Sequence, residues 1–209
     1  MAKKPENLKN FSDPYPVMEH FYTIQGEGVY SGKAAYFIRL AGCDVGCVWC
    51  DVKESWTQGY PIHSAKEMVN WVTTAKANLV VVTGGEPLMH NCAALTDHLK
   101  NAGFELNIET SGAYPLTGNW DWICLSPKKF VKPLPEIYSK AHELKVIVFN
   151  QSDFKWAEEQ AVNISNNCQL LLQPEWSKEK EMLPLLIDYV KKNPKWKISL
   201  QVHKYMNIP

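Results

Sequence analysis

Three cysteines lie close together in the chain and could hold one inorganic centre. Cys43, Cys47 and Cys50 form a C-x3-C-x2-C pattern, and Gly42 and Gly46 allow the loop to curl tightly. Structural zinc sites use four ligands, usually as paired C-x2-C knuckles, and no second pair follows. A 4Fe–4S cluster held by three cysteines keeps one iron open, which suits catalysis. The alternative is three buried thiols that happen to be neighbours.

A second motif follows an apolar run. Thr83-Gly84-Gly85-Glu86-Pro87 comes directly after Leu79–Val82. Two glycines let the backbone approach a ligand closely, and the Glu86 carboxylate can accept hydrogen bonds from an ammonium group. Taken alone, this pattern is equally typical of a plain strand-to-helix turn.

Alternating strands and helices must position these motifs. The runs that are rich in β-branched and aromatic residues are predicted strands: Ala34–Leu40, Leu79–Thr83, Phe104–Glu109, Trp122–Ser126, Leu144–Phe149, Gln169–Gln173 and Ile198–Val202. The predicted helices are one that begins with a Ser64/Glu67 capping box, Asn91–Ala102 (stopped by Gly103), Pro135–Glu143, Ser152–Val162, and Ser177–Lys192 with Pro184 kinking or dividing it. The alternation predicts an α/β fold with a parallel sheet. Seven strands are too few for an eight-stranded barrel, so we expect an open, partial barrel whose site lies at the carboxyl ends of the strands.

Length and charge limit the classes of protein. The 209 residues predict one domain over residues 17–209, preceded by a poorly ordered tail at 1–16. Lys plus Arg and Asp plus Glu are both 22, so the net charge is zero and direct nucleic-acid binding is disfavoured. The apolar runs are too short for a membrane span, and the start of the chain has no apolar stretch typical of a signal peptide. We therefore expect a cytoplasmic protein with no membrane contact and with reduced or metal-bound cysteines.

The cysteine pattern and the GGEP turn together resemble the radical S-adenosylmethionine (SAM) superfamily. The resemblance implies a partial barrel of the radical SAM type, with a 4Fe–4S cluster on Cys43, Cys47 and Cys50. It also implies that the open iron binds SAM. Electron transfer then cleaves SAM to a 5′-deoxyadenosyl radical, which abstracts hydrogen from a substrate.

The order of further motifs is more specific. FYTIQGEG, CDVGCVWCD, TGGEP, IETSG, SPK, LQPE and the ending HKYMNIP follow one another across residues 18–209. This set resembles the 7-carboxy-7-deazaguanine synthase family, carbon–nitrogen lyases of the queuosine pathway of tRNA modification. The resemblance implies conversion of 6-carboxy-5,6,7,8-tetrahydropterin into 7-carboxy-7-deazaguanine with loss of ammonia, by radical ring contraction. It also implies a homodimer and a flavodoxin- or ferredoxin-type reductant.

The resemblance assigns residues to two parts of one site. The residues implied to contact SAM are Trp49, Asp51, Gly85, Glu86, Ser126, Pro127, Lys128, Gln173, Pro174 and Glu175. The residues implied to contact the pterin are Ile24, Gln25, Gly26, Glu27, Arg39, Thr83, Glu109 and the α-carboxylate of Pro209. Arg39 is the only arginine in the chain, and its planar fork suits the pterin carboxylate. The alternative for Arg39 is an ordinary surface charge.

One position departs from the family pattern. Relatives carry Thr or Ser two positions after the last cluster cysteine, where the hydroxyl helps to hold a magnesium ion that bridges to the substrate carboxylate. Here that position is Val52, which offers no side-chain oxygen. Asp51, a backbone carbonyl and waters would then have to bind the magnesium. Otherwise the enzyme works without it or with another cation.

Two alternative functions share some of these features. A glycyl-radical activating enzyme has the same cysteine loop and GGEP turn, but the FYTIQGEG and HKYMNIP segments argue against it. A non-catalytic metal- or tRNA-binding module with a zinc loop would bind one zinc ion and be indifferent to SAM. The zero net charge and the lack of a fourth ligand argue against that module.

Overall fold

A computed structural model of the chain describes residues 13–57 and 59–209. The strands are β1 (Tyr15–Ile24), β2 (Ala34–Leu40), β3 (Ile62–His63), β4 (Leu79–Gly84), β5 (Glu105–Thr110), β6 (Trp122–Leu125), β7 (Glu143–Val148), β8 (Gln169–Pro174) and β9 (Trp196–Ile198). The α-helices are α1 (Ala65–Thr74), α2 (Ala93–Asn101), α3 (Pro135–Tyr138), α4 (Ser152–Ala161), α5 (Glu179–Lys192) and α6 (Val202–Met206). Short 3-10 segments occupy Lys53–Trp56, Pro87–Met89 and Trp176–Lys178.

All nine strands belong to one sheet in the order β3-β1-β2-β4-β5-β6-β7-β8-β9. From β2 to β9 every neighbouring pair is parallel, so the predicted open parallel α/β sheet is confirmed. β1 and β3 extend it with antiparallel pairs, which the sequence reasoning did not predict. Within the described residues, no helix is long and apolar enough to cross a membrane.

The start of the folded region differs from the prediction. Residues 1–12 of the predicted tail lie outside the described residues. Its last two residues, Tyr15 and Pro16, instead begin β1. Tyr15 is fully buried, and its hydroxyl donates a hydrogen bond of 2.9 Å to the carbonyl of Asn91. The fold therefore begins earlier than residue 17, because an aromatic side chain anchors this segment to the core.

The last predicted strand, at 198–202, is wrong. β9 ends at Ile198, and the helix α6 begins at Val202, whose N–H donates to the carbonyl of Gly26 instead of a sheet partner. The predicted helix at 135–143 is also too long, since α3 ends at Tyr138. By contrast, α5 continues through Pro184 without being divided. The capping box of Ser64 and Glu67 is confirmed.

Side chains alternate along each strand, so the two faces of the sheet pack against different surroundings. On the outer face, Ile38, Val80 and Val82 join one apolar core with residues of the helices, such as Met68 and Leu95. The inner face has only a small apolar cluster of Ala35, Leu79 and Val81 at its base. Toward the carboxyl ends of the strands this face becomes polar, and it encloses a cavity.

Candidate active site

One cavity of about 510 Å³ lies at the carboxyl ends of the parallel strands and is lined by all three motif cysteines. Its wall includes inward-facing residues from successive strands: Arg39, Thr83, Glu109, Lys145 and Gln173. Parallel register explains the alignment, since Arg39 of β2 lies directly beside Thr83 of β4. The prediction that the motifs meet at this edge of the sheet therefore holds in the structure.

The cysteine loop is shaped by two glycines with left-handed backbone, Gly42 (φ 100°) and Gly46 (φ 70°). The loop is fixed at one end by the Gly42 N–H, which donates to the Ser55 carbonyl at 2.7 Å. Cys43, Cys47 and Cys50 are free thiols, and burial raises the pKa of Cys43 to about 11. In the described residues, no three His, Cys, Asp or Glu side chains stand at the spacing of ligands to a single metal ion.

This donor set fits a 4Fe–4S cluster better than a single ion. The ligands of one zinc ion must converge on a single point. Three thiolates of a 4Fe–4S cluster bind three different irons, so they can stand further apart. The neighbouring loop also approaches closely, because a Cβ on Gly85 would lie 2.2 Å from the Gly42 carbonyl oxygen and 2.8 Å from Cys43 Cβ. Residue 85 must be glycine for the two loops to form one wall.

The side chain of Glu86 does not do what the sequence reasoning assigned to it. Its carboxylate is buried and accepts hydrogen bonds from Leu88 N–H, Thr110 Oγ1, and both the N–H and Oγ of Ser111. A carboxylate has about four acceptor positions, so protein donors already fill them. Glu86 therefore fixes the GGEP turn onto β5 and the residues after it, and only the backbone of the turn remains for a ligand ammonium.

The residues implied to contact SAM line the cavity, with one exception. Lys128 Nζ donates to both oxygens of Ser126, at 2.7 and 2.6 Å, and lies 5.7 Å from the ring centroid of Trp49. Pro127, between them, is not among the described residues that line the cavity. The other lining residues of this predicted set are Asp51, Gly85, Glu86, Gln173, Pro174 and Glu175.

A polar network forms the opposite part of the cavity. Gln25 Nε2 donates to Glu109 Oε1 at 2.9 Å, and Glu109 Oε2 lies 3.4 Å from Lys145 Nζ. Lys145 Nζ is also 2.5 Å from Glu27 Oε2, and Glu27 Oε1 accepts from Gln201 Nε2 at 2.8 Å. Burial alone would raise the pKa of Glu27. The charge of Lys145 and hydrogen bonds from Lys145, Gln201 and Gln173 instead lower it to about 2.

Arg39 and the end of the chain close the same region. Arg39 lines the cavity and donates through Nε to Glu19 at 2.6 Å, the one ion pair of this guanidinium among the described residues. Thr23 Oγ1 lies 3.5 Å from the Pro209 carbonyl oxygen, and Pro209 lines the cavity. Of the remaining predicted pterin contacts, the lining residues are Ile24, Gly26 and Thr83.

The residues around Asp51 do not fit a magnesium ion. Asp51 Oδ2 accepts from Lys204 Nζ at 3.1 Å and from Gln201 Nε2 at 3.3 Å. Val52 contributes no side-chain oxygen, and magnesium requires near-octahedral oxygen ligands. The positive charge beside Asp51 is the Lys204 ammonium, which already pairs with Asp51 Oδ2.

Sequence reasoning missed several polar residues of the cavity, among them Ser55, Thr110 and Ser111. Lys145, Gln201, His203 and Lys204 also line it. Lys145 could have been found, because a lysine inside the apolar run LKVIVF takes an inward position when alternate residues face the cavity. Gln201 was hidden by the wrong prediction of a strand at 198–202, whereas His203 and Lys204 belong to the HKYMNIP ending and were given no role in the site.

The comparisons with known proteins agree with this geometry. Residues 37–125 match the radical SAM superfamily, and the chain is a radical SAM protein. A 7-carboxy-7-deazaguanine synthase of Flavobacterium psychrophilum is 57% identical over 194 residues, 93% of this chain and 92% of the relative. The synthase of Synechocystis is 50% identical over 195 residues, 93% of each chain. The crystal structure of QueE from Escherichia coli matches with a TM-score of 0.84 and 31% identity, over 91% of this chain and 95% of that one. This chain belongs to the 7-carboxy-7-deazaguanine synthase family.

Proposed function

We propose that this enzyme converts 6-carboxy-5,6,7,8-tetrahydropterin into 7-carboxy-7-deazaguanine with loss of ammonia. One observation carries the proposal: a single cavity joins the three-cysteine loop to the Gln25–Glu109–Lys145–Glu27 network. The names of the relatives give the product, and the polar network supplies groups suited to a pterin. Family membership favours this reaction over glycyl-radical activation and over a non-catalytic metal or tRNA module.

Substrate recognition would follow from the chemistry of the pterin. Its pyrimidine edge presents N–H donors, for which the Glu27 and Glu109 carboxylates and the Gln25 amide are suitable acceptors. Its carboxylate suits the Arg39 guanidinium, which can bind two oxygens in parallel. Thr83, Ile24, Gly26 and Pro209 would complete the pocket.

The cofactor side would be held by the other half of the cavity. Cys43, Cys47 and Cys50 would bind the 4Fe–4S cluster, which with SAM supplies a 5′-deoxyadenosyl radical when reduced. The protein would orient SAM with the backbone of the GGEP turn, with Ser126 and Lys128, with Gln173–Glu175, and with Trp49 and Asp51. It would also exclude water from the radical.

Two partners belong to the proposal by family resemblance. A flavodoxin- or ferredoxin-type protein would supply the electron, and the enzyme would act as a homodimer. Chemical reduction with dithionite replaces the first partner in the assay, so the test of function does not depend on finding it.

The proposal is tested with anaerobically reconstituted enzyme, dithionite, SAM and 6-carboxytetrahydropterin. We expect 5′-deoxyadenosine together with a product that is lighter by the mass of ammonia in mass spectrometry. Cys47→Ala should abolish both signals, whereas Cys168→Ala, a buried cysteine that does not line the cavity, should retain them. SAM cleavage without the lighter product would refute the substrate. A protein that binds zinc and no iron would refute the cluster.

A further inference from the structure

Lys145 is a charged side chain in the interior of the barrel. It lies in β7 between apolar neighbours, and its side chain is 3% exposed. Its ammonium contacts the carboxylates of Glu27 and Glu109, which come from two different parts of the chain. A buried lysine is costly to desolvate, so one that sits between two cavity carboxylates requires a reason beyond packing.

The Lys145 ammonium is shared by two carboxylates of the cavity. Glu27 and Glu109 are 15% and 23% exposed, and both contact the same ammonium. Two carboxylates that share one site repel each other, so removing the cation between them would favour the neutral form of one of them. A protonated carboxyl group is a poorer acceptor for the N–H donors of a pterin. The state of both groups is thus set by Lys145.

We propose that Lys145 is a positioning residue for the substrate, holding Glu27 and Glu109 side by side as the paired acceptors for the pyrimidine edge of the pterin. This inference rests on the proposed function, since it concerns the same pterin. Lys145 acts through the two carboxylates. Its removal should affect the pterin and leave SAM binding unchanged.

The electrostatic surroundings of Lys145 come from several elements. The titratable or charged groups that face it or its two partners are Glu27, Glu109, Glu143, Cys124, Lys128 and His203. Burial lowers the pKa of Lys145, but Glu109, Glu27, Cys124 and Glu143 raise it well above its ordinary value, so it stays protonated. Glu143 Oε2 is occupied by the Val29 N–H and Trp122 Nε1 at the base of the barrel. Glu143 also does not line the cavity that contains the cysteine loop, so it does not replace Glu27 or Glu109 as an acceptor.

The test is calorimetric binding of 6-carboxytetrahydropterin to reconstituted, SAM-loaded enzyme without reductant. Lys145→Met should weaken pterin binding roughly 10- to 100-fold at about pH 7. It should leave SAM binding unchanged and recover pterin affinity as the pH rises toward about 9. In two buffers of different ionisation enthalpy, pterin binding to this variant should release a proton, because binding requires the second carboxylate. The wild type should release none.

Two further variants keep the test decisive if Lys145→Met does not fold. Lys145→Arg keeps the charge, so it should bind the pterin with no proton release, whatever its size does to affinity. Lys145→Met combined with Glu109→Gln leaves one carboxylate and no cation, so its binding should stay weak at every pH. Lys197→Met, which changes a lysine paired with Gln169 outside the cavity, is the matched control.

The outcomes separate two failures. The inference is overturned if the Lys145→Met variant binds the pterin as tightly as the wild type. It is also overturned if this variant loses pterin affinity and SAM affinity equally and releases no proton. Wild-type enzyme that cleaves SAM but does not bind the pterin would instead refute the proposed function.

Discussion

Gly85→Ala tests the contact between the GGEP turn and the cysteine loop. The new Cβ would lie 2.2 Å from the Gly42 carbonyl oxygen and 2.8 Å from Cys43 Cβ. Ordinary van der Waals contact begins at about 3.4 Å, so the two loops must separate by about 1 Å. The φ of Gly85 is not in the left-handed region, so the substitution adds a steric clash without adding backbone strain.

A displacement of this size falls where the cluster and SAM would meet. Since misplacing reacting groups by 1 Å costs roughly 100-fold in rate, we expect SAM cleavage to fall by about that factor. The assay is 5′-deoxyadenosine formation with dithionite after anaerobic reconstitution, alongside iron and sulfide content and circular dichroism. Gly59→Ala is the matched control, because no heavy atom lies within 4 Å of its would-be Cβ. A folded Gly85→Ala enzyme with wild-type cleavage and iron content would refute the loop contact as a requirement.

Three further predictions concern the polar half of the cavity. Arg39→Lys should raise the KM for the pterin strongly and leave SAM affinity unchanged, because lysine lacks the bidentate fork; unchanged pterin kinetics would contradict the assignment. Turnover should be the same in magnesium and in chelator, because Val52 offers no side-chain oxygen and Lys204 pairs with Asp51 Oδ2, and strong activation by magnesium would refute this. Because the pKa of Glu27 is lowered from 4.5 to about 2, its ionised carboxylate stabilises the fold at pH values above 4.5. This stabilisation is lost as the pH falls toward about 2. Chemical denaturation should therefore show a smaller acid-induced loss of stability in Glu27→Gln than in the wild type, and equal losses would contradict it.

The parallel core of the sheet was predictable because its strands are continuous apolar runs with clear turn residues. Leu79–Gly84 shows this, since a buried parallel strand needs little more than β-branched residues. β1 was missed because it is not a continuous apolar run: only its first three residues are buried, and Glu19 and His20 are exposed, as an antiparallel strand toward the sheet edge allows. The resemblance drew attention to its end as a motif, and the strand itself was overlooked.

The predicted site residues were placed by register, whereas the missed ones depend on tertiary contacts. Arg39 and Thr83 end neighbouring parallel strands, so sequence alone could bring them together. Gln201 and Lys204 reach the cavity because α6 docks on the loop after β1 through the Val202–Gly26 hydrogen bond. No local pattern near residue 200 encodes that contact.

The docking of α6 brings together the FYTIQGEG and HKYMNIP motifs, which lie before and after the region that matches the superfamily. A Cβ on Gly26 would lie 2.3 Å from His203 Nδ1, and the Gly28 N–H donates to Ser199 Oγ, so the residues after β1 and β9 close one wall of the open barrel. The superfamily match covers only residues 37–125, which contain the cysteine loop and the GGEP turn. Most of the polar network of the cavity, including Gln25 and Lys145, lies outside that range. The shared radical machinery therefore occupies the centre of the sheet. We propose that the choice of substrate is made where distant parts of this chain meet, so substitutions there should change substrate binding before they change SAM cleavage.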